Sequence, residues 1–381
     1  MLCCMKKGHK MTAFQIMKQA NAMLVLRLLR EEPLSRAELA RRTGLTRATI
    51  TGIADELIEA GLLREGEVTR TTVGRHPVLL ELDPNAYFSV GVDISREGVS
   101  ICVTDFTLNR VEEQCFSADL SKKDILGKLC EFVKKQASCR RILGVGVVAP
   151  GPLDTARGCV LTPSGMDAWH GFSVSELEEQ LSLPVLLEKD SAALAIAEKR
   201  YVGARASFLT LLADHGLGAG FIYNGHRFGS AEGYGCEIGH VSMDANGPIC
   251  SCGNRGCAEL YASIPAILSH ARSCGRELSW QELLAGAESG DTFCLDLLSR
   301  QAEALALACI GAVNMLEPER ILLEGKLGAA YAFVAEPMEK AFASRCFTQN
   351  GRRVRVEPSS LPNGARAIAA AGLPIEHFFE G

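Results

Sequence analysis

The densest chemistry in the chain lies between His240 and Glu259. One imidazole is followed by three thiols, at Cys250, Cys252 and Cys257, and Glu259 closes the run. Gly247, Gly253 and Gly256 let the backbone turn back between them. Three thiolates and one imidazole complete a tetrahedral zinc shell, with Zn–S bonds of ~2.3 Å and Zn–N bonds of ~2.0 Å. Four protein ligands leave no position for water, so the spacing predicts a structural zinc and not a catalytic one. The second histidine pair and helix of a DNA-reading zinc finger do not follow. A zinc-bound His240 keeps a second ring nitrogen whose N–H points in a fixed direction. Glu237 stands three residues before it.

Most of the other cysteines, of 15 in the chain, sit in apolar runs such as SICVTDF and LALACIGAV. That is the usage of small buried hydrophobes in a reducing compartment. No run is long and apolar enough to span a bilayer, and the first residues lack the apolar core of a secretion signal. A cytoplasmic protein is expected. With 381 residues, 47% hydrophobic and 22% charged, the chain has material for two or three domains. Net charge is −5, yet residues 1–85 carry 13 Lys and Arg against 10 Asp and Glu. A mildly basic head on an acidic body permits contact with nucleic acid at the head.

The elements of the head follow from local signals. FQIMKQANAMLVLRLLREE carries a helical apolar stripe through Ile16, Ala20, Met23, Leu24, Leu26 and Leu28, ended by Pro33. Ser35 with Glu38 predicts a capping box, and Gly44 a left-handed stop. Thr46 caps the next helix, which buries Ile50, Ile53, Leu57 and Ile58 and stops at Gly61. Two β-like runs around a Gly- and Thr-rich turn complete a winged helix-turn-helix over residues 12–83. Arg47, Thr49 and Thr51 open the helix expected in the major groove. Arg70, Thr71, Thr72 and Arg75 of the hairpin suit phosphate or minor-groove contact. A helical hairpin used for protein contacts is the plainer alternative.

Beyond Pro84 the texture changes to short β-rich runs separated by glycine turns and helical stretches. YFSVGVDIS, GVSICVTDF, ILGVGVVAPG, LPVLLEK, FLTLLAD and RILLEG read as strands of buried sheets. Residues 264–316 read as largely helical, and GARAIAAAGLPIEHFF as a final helix. These elements predict two α/β lobes with a cleft between them. The sequence leaves open whether the lobes are related.

Several stretches, in order, resemble the ROK family of repressors, open reading frames and sugar kinases. They are the head SRAELARRTGLTRATITGIADELIEAGLL with GRHPVLLELDP, then GVVAPGPLDTARGCVLTP, LEKDSAALAIAEKRYVGA and GLGAGFIYNG, and finally GCEIGHVSMDANGPICSCGNRGCAELYAS. The resemblance covers residues 15–375. It implies an actin/hexokinase-like body, with a first lobe over 84–190 completed by 362–381 and a second over 191–361. It places sugar contacts at the positions of Glu237, His240 and Glu259, so the metal would act as a clamp that aims pocket residues. Asp190 matches the family's catalytic base, which in a binder simply accepts a hydroxyl hydrogen bond. Lys189 stands where family kinases carry Asn. It is either a solvated or salt-bridged lysine, or a cleft residue that favours an anionic ligand. Ser164 lies near a further sugar-contacting Asn position.

The nucleotide side departs from the kinases. Their Asp-x-Gly-x-Thr turn lets backbone N–H groups approach phosphate. Here it reads Asp93-Ile94-Ser95-Arg96-Glu97, and the second loop reads Asp214-His215-Gly216-Leu217-Gly218. Both cradles have lost glycine and threonine and gained acids, with Arg96 as the one candidate to offset them. The expectation is therefore a sugar-responsive DNA-binding regulator acting as a repressor, not an enzyme, with a structural zinc. Its expected partners are operator DNA, a small sugar or sugar phosphate, and a second copy of the chain in a homodimer or larger homo-oligomer. The alternatives are an active sugar kinase with a DNA-binding head, and a zinc-stabilised scaffold that takes its signal from a transporter component.

Overall fold

The computed structural model describes residues 13–66, 78–203, 206–229, 233, 235–347, 354–362 and 364–380. The hairpin residues Arg70, Thr71, Thr72 and Arg75 lie outside them.

The head opens with α1 (Ala13–Glu31), β1 (Leu34–Ser35), α2 (Arg36–Thr43) and α3 (Arg47–Glu59). β2 (Leu63–Glu65) and β3 (Leu79–Leu82) follow, in an antiparallel sheet of order β1-β3-β2. Ser35 Oγ accepts from Glu38 N at 3.2 Å. The Glu38 carboxylate, however, turns outward to Arg41 and Arg42. The expected capping box is thus half made, because two guanidiniums offer charge-assisted bonds that one backbone N–H cannot match. Gly44 ends α2 at φ 72°, and Thr46 caps α3 by accepting from Thr49 N. Ile50, Ile53 and Leu57 are buried, while Ile58 is only partly so. Leu24, expected on the apolar stripe of α1, is exposed; Met23, Val25, Leu26 and Leu29 turn inward instead.

The first lobe contains β4 (Phe88–Ser95), β5 (Gly98–Asp105), β6 (Arg110–Ser117), α4 (Lys122–Ala137) and β7 (Ile142–Ala149). It continues with β8 (Leu153–Asp154), β9 (Cys159–Val160), α5 (Ser175–Leu181) and β10 (Val185–Lys189). α6 (Asp190–Val202) crosses to β11 (Phe208–Ala213), β12 (Leu217–Tyr223) and β13 (His226–Arg227). The helices α7 (Glu259–Ala262), α8 (Ile264–Ser273), α9 (Trp280–Glu288) and α10 (Thr292–Leu316) come next. β14 (Arg320–Glu324), α11 (Gly325–Ala329), α12 (Tyr331–Arg345) and β15 (Arg355–Pro358) finish the second lobe, and α13 (Ala365–Glu380) returns to the first.

The sheets run β10-β7-β4-β5-β6 and β13-β12-β11-β14-β15. Counted in chain order within each lobe, both have the arrangement 3-2-1-4-5. In both, the first three strands form an antiparallel meander and the last two join in parallel. The relation between the lobes that the sequence left open is therefore visible as a shared topology. Each parallel step needs a helical crossover, which α4, α5 and α12 supply, as does the α7–α10 block.

α13 lies on the first sheet because Gly91 and Gly146 leave room for it. A methyl on Gly91 would fall 1.8 Å from Ala367 O, and one on Gly146 1.8 Å from Ala370 O. The two crossings between lobes are tied together. Glu198 of α6 accepts from Ser359 Oγ and Ser360 N, each at 2.6 Å, just before α13. Among the described residues no helix is long and apolar enough to cross a membrane.

The head does not swing free. Its core continues into the body through Tyr87, Phe106, Ile375 and Phe379. Arg27 Nε donates to Phe379 O at 2.8 Å, and the Arg30 guanidinium pairs with Glu376 and lies 4.7 Å over the Phe379 ring. Burial pushes the Glu376 carboxyl up, but Arg30 and Lys199 more than offset this and hold it below its ordinary range.

Candidate functional site

The histidine–cysteine run folds into one knot. Ile238–His240 form a single 3-10 turn, and the chain returns through backbone pairings of Ser242 with Cys257 and Ile249 with Arg255. Gly256, at φ 62°, passes so close to Asp244 that a methyl there would lie 1.9 Å from its carbonyl oxygen. Asn254 Nδ2 donates to His240 O at 3.1 Å and fixes the histidine backbone. One ligand atom each from His240, Cys250, Cys252 and Cys257 lies within 4.8 Å of all the others. Cys252 Sγ and Cys257 Sγ are 3.6 Å apart, and Cys250 Sγ is 3.8 Å from His240 Nδ1. A tetrahedron with ~2.3 Å bonds has edges of about 3.8 Å, so the donor set fits one zinc-sized ion. His240 turns Nδ1 to that centre, which leaves Nε2 for other work.

The knot delivers its flanking acids to the lobe interface. Glu259, at the start of α7, accepts from Leu217 N at 3.0 Å. A methyl on Gly216 would meet the same carboxylate at 2.6 Å, so the Gly216–Gly218 turn must be bare to pack there. Glu237 reaches across to the first lobe, where its Oε1 lies 2.8 Å from Lys189 Nζ. Lys189 and Asp190 form the joint between β10 and α6, and both are buried. Burial pushes the Asp190 carboxyl up, while Arg366 and Lys189 counter it. Asp190 Oδ1 accepts from Ser191 N at 2.6 Å. Ser164 is exposed, in a loop whose next residue, Gly165, backs onto Arg96.

The two turns expected to face a nucleotide, at Asp93–Glu97 and Asp214–Gly218, are occupied by the protein's own charges. Lys326 Nζ sits 2.6 Å from Glu97 and 3.1 Å from Asp214. Arg366 lies 3.1 Å from Asp93 and 3.5 Å from Asp214. His215 Nε2 is 3.7 Å from Glu97. Burial first, then the neighbouring Asp190 and Asp214, push the Asp93 carboxyl up to about 6 against the pull of Arg366. The expected neutraliser, Arg96, is not the one used. Lys326 and Arg366 take that role, arriving from α11 and α13, more than 200 residues along the chain from Glu97. No local spacing signals them.

On the head, Arg47, Thr49 and Thr51 are exposed. Thr51 Oγ1 donates back to Arg47 O at 2.9 Å, so it offers a methyl and a lone pair outward. Thr49 Oγ1 shares a hydrogen bond with Thr46 Oγ1.

Residues 89–376 match the ROK family, and residues 19–71 match the MarR family. The chain belongs to the ROK family. This ROK protein is 29% identical over 373 residues to the xylose repressor of Bacillus subtilis, covering 95% of this chain and 97% of that one. It is 28% identical over 387 residues to the DNA-binding transcriptional repressor Mlc of Escherichia coli, covering 96% and 95%. The crystal structure of a ROK family transcriptional regulator, a homologue of the E. coli MLC protein, matches with a TM-score of 0.80 at 24% identity, covering 96% of this chain and 97% of that one. A ROK family glucokinase from Streptomyces griseus, solved with glucose and AMPPNP, matches the fold with a TM-score of 0.65 at 22% identity, over 75% of this chain and 98% of that one. The architecture is thus a winged helix-turn-helix head on a ROK body of the actin/hexokinase type.

Proposed function

We propose that this ROK protein is a cytoplasmic DNA-binding transcription regulator, acting as a repressor, whose operator affinity is set by a small sugar. The observation that carries this reading is the reach of α13. One end holds Arg366 between Asp93 and Asp214 at the cleft. About 15 Å along the helix, Glu376 and Phe379 grip Arg30 and Arg27 of the head. A ligand that prefers one lobe arrangement therefore prefers one head arrangement, which is what linkage requires. Two heads on a homodimer would span two half-sites. The relatives named as repressors support the sign of regulation.

The pocket is assigned to Ser164, Lys189, Asp190, Glu237, His240 and Glu259, and the DNA contacts to Arg47, Thr49 and Thr51, with Arg70 and Arg75 in the hairpin. The domain limits are taken as 12–83, 84–190 with 362–381, and 191–361. His240, Cys250, Cys252 and Cys257 would hold zinc, which supplies cross-linking and orientation. Fixing Nδ1 leaves His240 Nε2 as a donor of set direction toward a sugar oxygen. Asp190 serves as a hydroxyl acceptor and not as a catalytic base, because the phosphate side is occupied by ion pairs. Kinase activity is the second reading. It is favoured by Asp190, which is buried at a helix start as a base would be.

One experiment separates the two. Purified full-length protein is presented with a sugar panel, Mg-ATP and operator DNA. The regulator reading expects a sugar to change operator affinity with no sugar-dependent ADP release. ADP release coupled to sugar establishes the kinase, and operator affinity unmoved by every sugar defeats the proposal.

A further inference from the structure

Glu198 and Glu324 are the most deeply buried acids among the described residues, at 0% and 1% exposed. Glu198 Oε2 and Glu324 Oε1 have no hydrogen-bond partner. Among the described residues no ammonium or guanidinium pairs with either. Both stand at the joint between the lobes. Glu198 lies on α6, which carries the chain into the second lobe, and Glu324 ends β14. Ser359, which opens the return to α13, ties the two elements together. Its N–H donates to Leu323 O at 3.0 Å, and its hydroxyl donates to Glu198 Oε1 at 2.6 Å and accepts from Leu361 N at 3.1 Å. The same hydroxyl bears on the Glu324 carboxyl. Its one hydrogen is already given to Glu198, so a bond with Glu324 needs a proton on Glu324. Burial first, then Glu198, push Glu324 up to about 8, and burial pushes Glu198 up as well.

The charged groups on the surrounding elements are engaged elsewhere. Lys199 and Arg200 of α6 turn to Glu376 and to Thr107 O. Lys326 of α11 turns to Glu97 and Asp214, and Arg320 of β14 to Glu357 of β15. Glu339 of α12 accepts from Val356 N, and β11 presents Leu212 beside Glu324.

We propose that Glu198 and Glu324 share a single proton that keeps this joint closed, and that losing it frees α13 and uncouples the head from the pocket. This rests on the regulator reading above. With the proton in place, one carboxyl is neutral and the other takes the bonds from Ser359 and Ser360. Without it, two like charges share a buried site with no counter-ion, and parting α6, β14 and the Ser359–Ser360 turn relieves them. Those segments carry the interlobe clamp. Lys326 follows Glu324 by two residues, and Arg366 follows Ser359 by seven. The proton thus acts as a ligand of one lobe arrangement. Its hold is full at low pH and is lost as pH rises through about 8.

The test is fluorescence anisotropy on labelled operator with the full-length, zinc-loaded protein. Glucose, xylose and N-acetylglucosamine are added in turn, at about pH 7 and about pH 9. In wild type, the change in operator affinity caused by sugar should fall at least fivefold between the two. Glu324→Gln and Glu198→Gln each leave one carboxylate at the joint, and each should keep that change within about twofold over the same range. Infrared difference spectra of wild type against Glu324→Gln should show a protonated carboxyl band at neutral pH that is gone at the alkaline end. Wild-type coupling that persists at about pH 9 overturns the proposal. So do variants that lose it in step with wild type, and so does the lack of that band at neutral pH. These outcomes leave the regulator reading standing. If no sugar changes operator affinity at neutral pH, in protein that carries zinc and melts cooperatively, the reading falls and this proposal with it.

Discussion

Lys326 of the second lobe and Glu97 of the first meet at 2.6 Å, across 229 residues of sequence. The contact lies at the Asp93–Glu97 turn, and Asp214, Arg366 and Asp93 extend it into a chain of alternating charge. The lobes are held together on that side by the protein itself. Lys326 keeps the Glu97 carboxyl below its ordinary range.

Because Lys326 and Glu97 are partly exposed, their pairing is salt-sensitive and modest in size. Glu97→Gln should lower sugar affinity several-fold at 50 mM salt and by much less at 500 mM. Wild-type affinity should fall over the same range. Mg-ATP should cause no shift in melting temperature in either protein. Calorimetry and thermal melts read all three.

Chelation, or Cys257→Ser, should remove one metal per chain and lower the melting temperature by 10 °C or more. Sugar affinity should drop with it, since His240 loses its fixed direction. Metal analysis by atomic absorption and a parallel sugar titration check the result.

Glu324 is buried at the end of β14, and burial first, then the nearby Glu198, push its carboxyl up to about 8. Its ordinary value is 4.5. Between these two values the folded chain binds a proton that the unfolded chain has released. Stability contributed by this group is therefore full below pH 4.5, is lost as pH rises toward about 8, and changes no further above. Glu324→Gln should raise the melting temperature by several degrees at pH 8.5, with the gain shrinking toward pH 5. Melts across that range read the sign directly.

Much of the site was legible because its signals are local. The four candidate metal ligands fall within 18 residues, and the caps at Ser35, Gly44 and Thr46 act over a single turn. What was not legible depends on distance or competition. Lys326 and Arg366 join Asp214 only after the chain has crossed between lobes and back. Glu38 obeys its spacing to Ser35 for the backbone half of the box and then prefers two arginines. Leu24 fits a helical period on paper but faces out, since α1 turns Met23, Val25, Leu26 and Leu29 into the core that the head shares with the body. The common strand order of the lobes has no counterpart in spacing, because helical insertions of different length separate equivalent strands.

Arg30→Met should loosen the hold of α13 on the head without touching the pocket. Sugar affinity should stay within about threefold of wild type. The change in operator affinity caused by sugar should fall at least fivefold. Fluorescence anisotropy on labelled operator, with and without sugar, measures it.

Arg47→Ala should weaken specific operator binding by roughly tenfold or more, the scale of one bidentate base contact. Binding to unrelated DNA should change less. Competition titrations with both DNAs separate the two effects.

Gly91 and Gly146 lie in β4 and β7 of the first sheet, and α13 rests its carbonyls on them. An alanine at either place would lift that helix by the width of a methyl group, and the lever would tip whatever is bolted to its other end. Changes there would be felt as faulty gene control with the sugar pocket chemically untouched. Two residues without side chains thus set the height at which the head is carried.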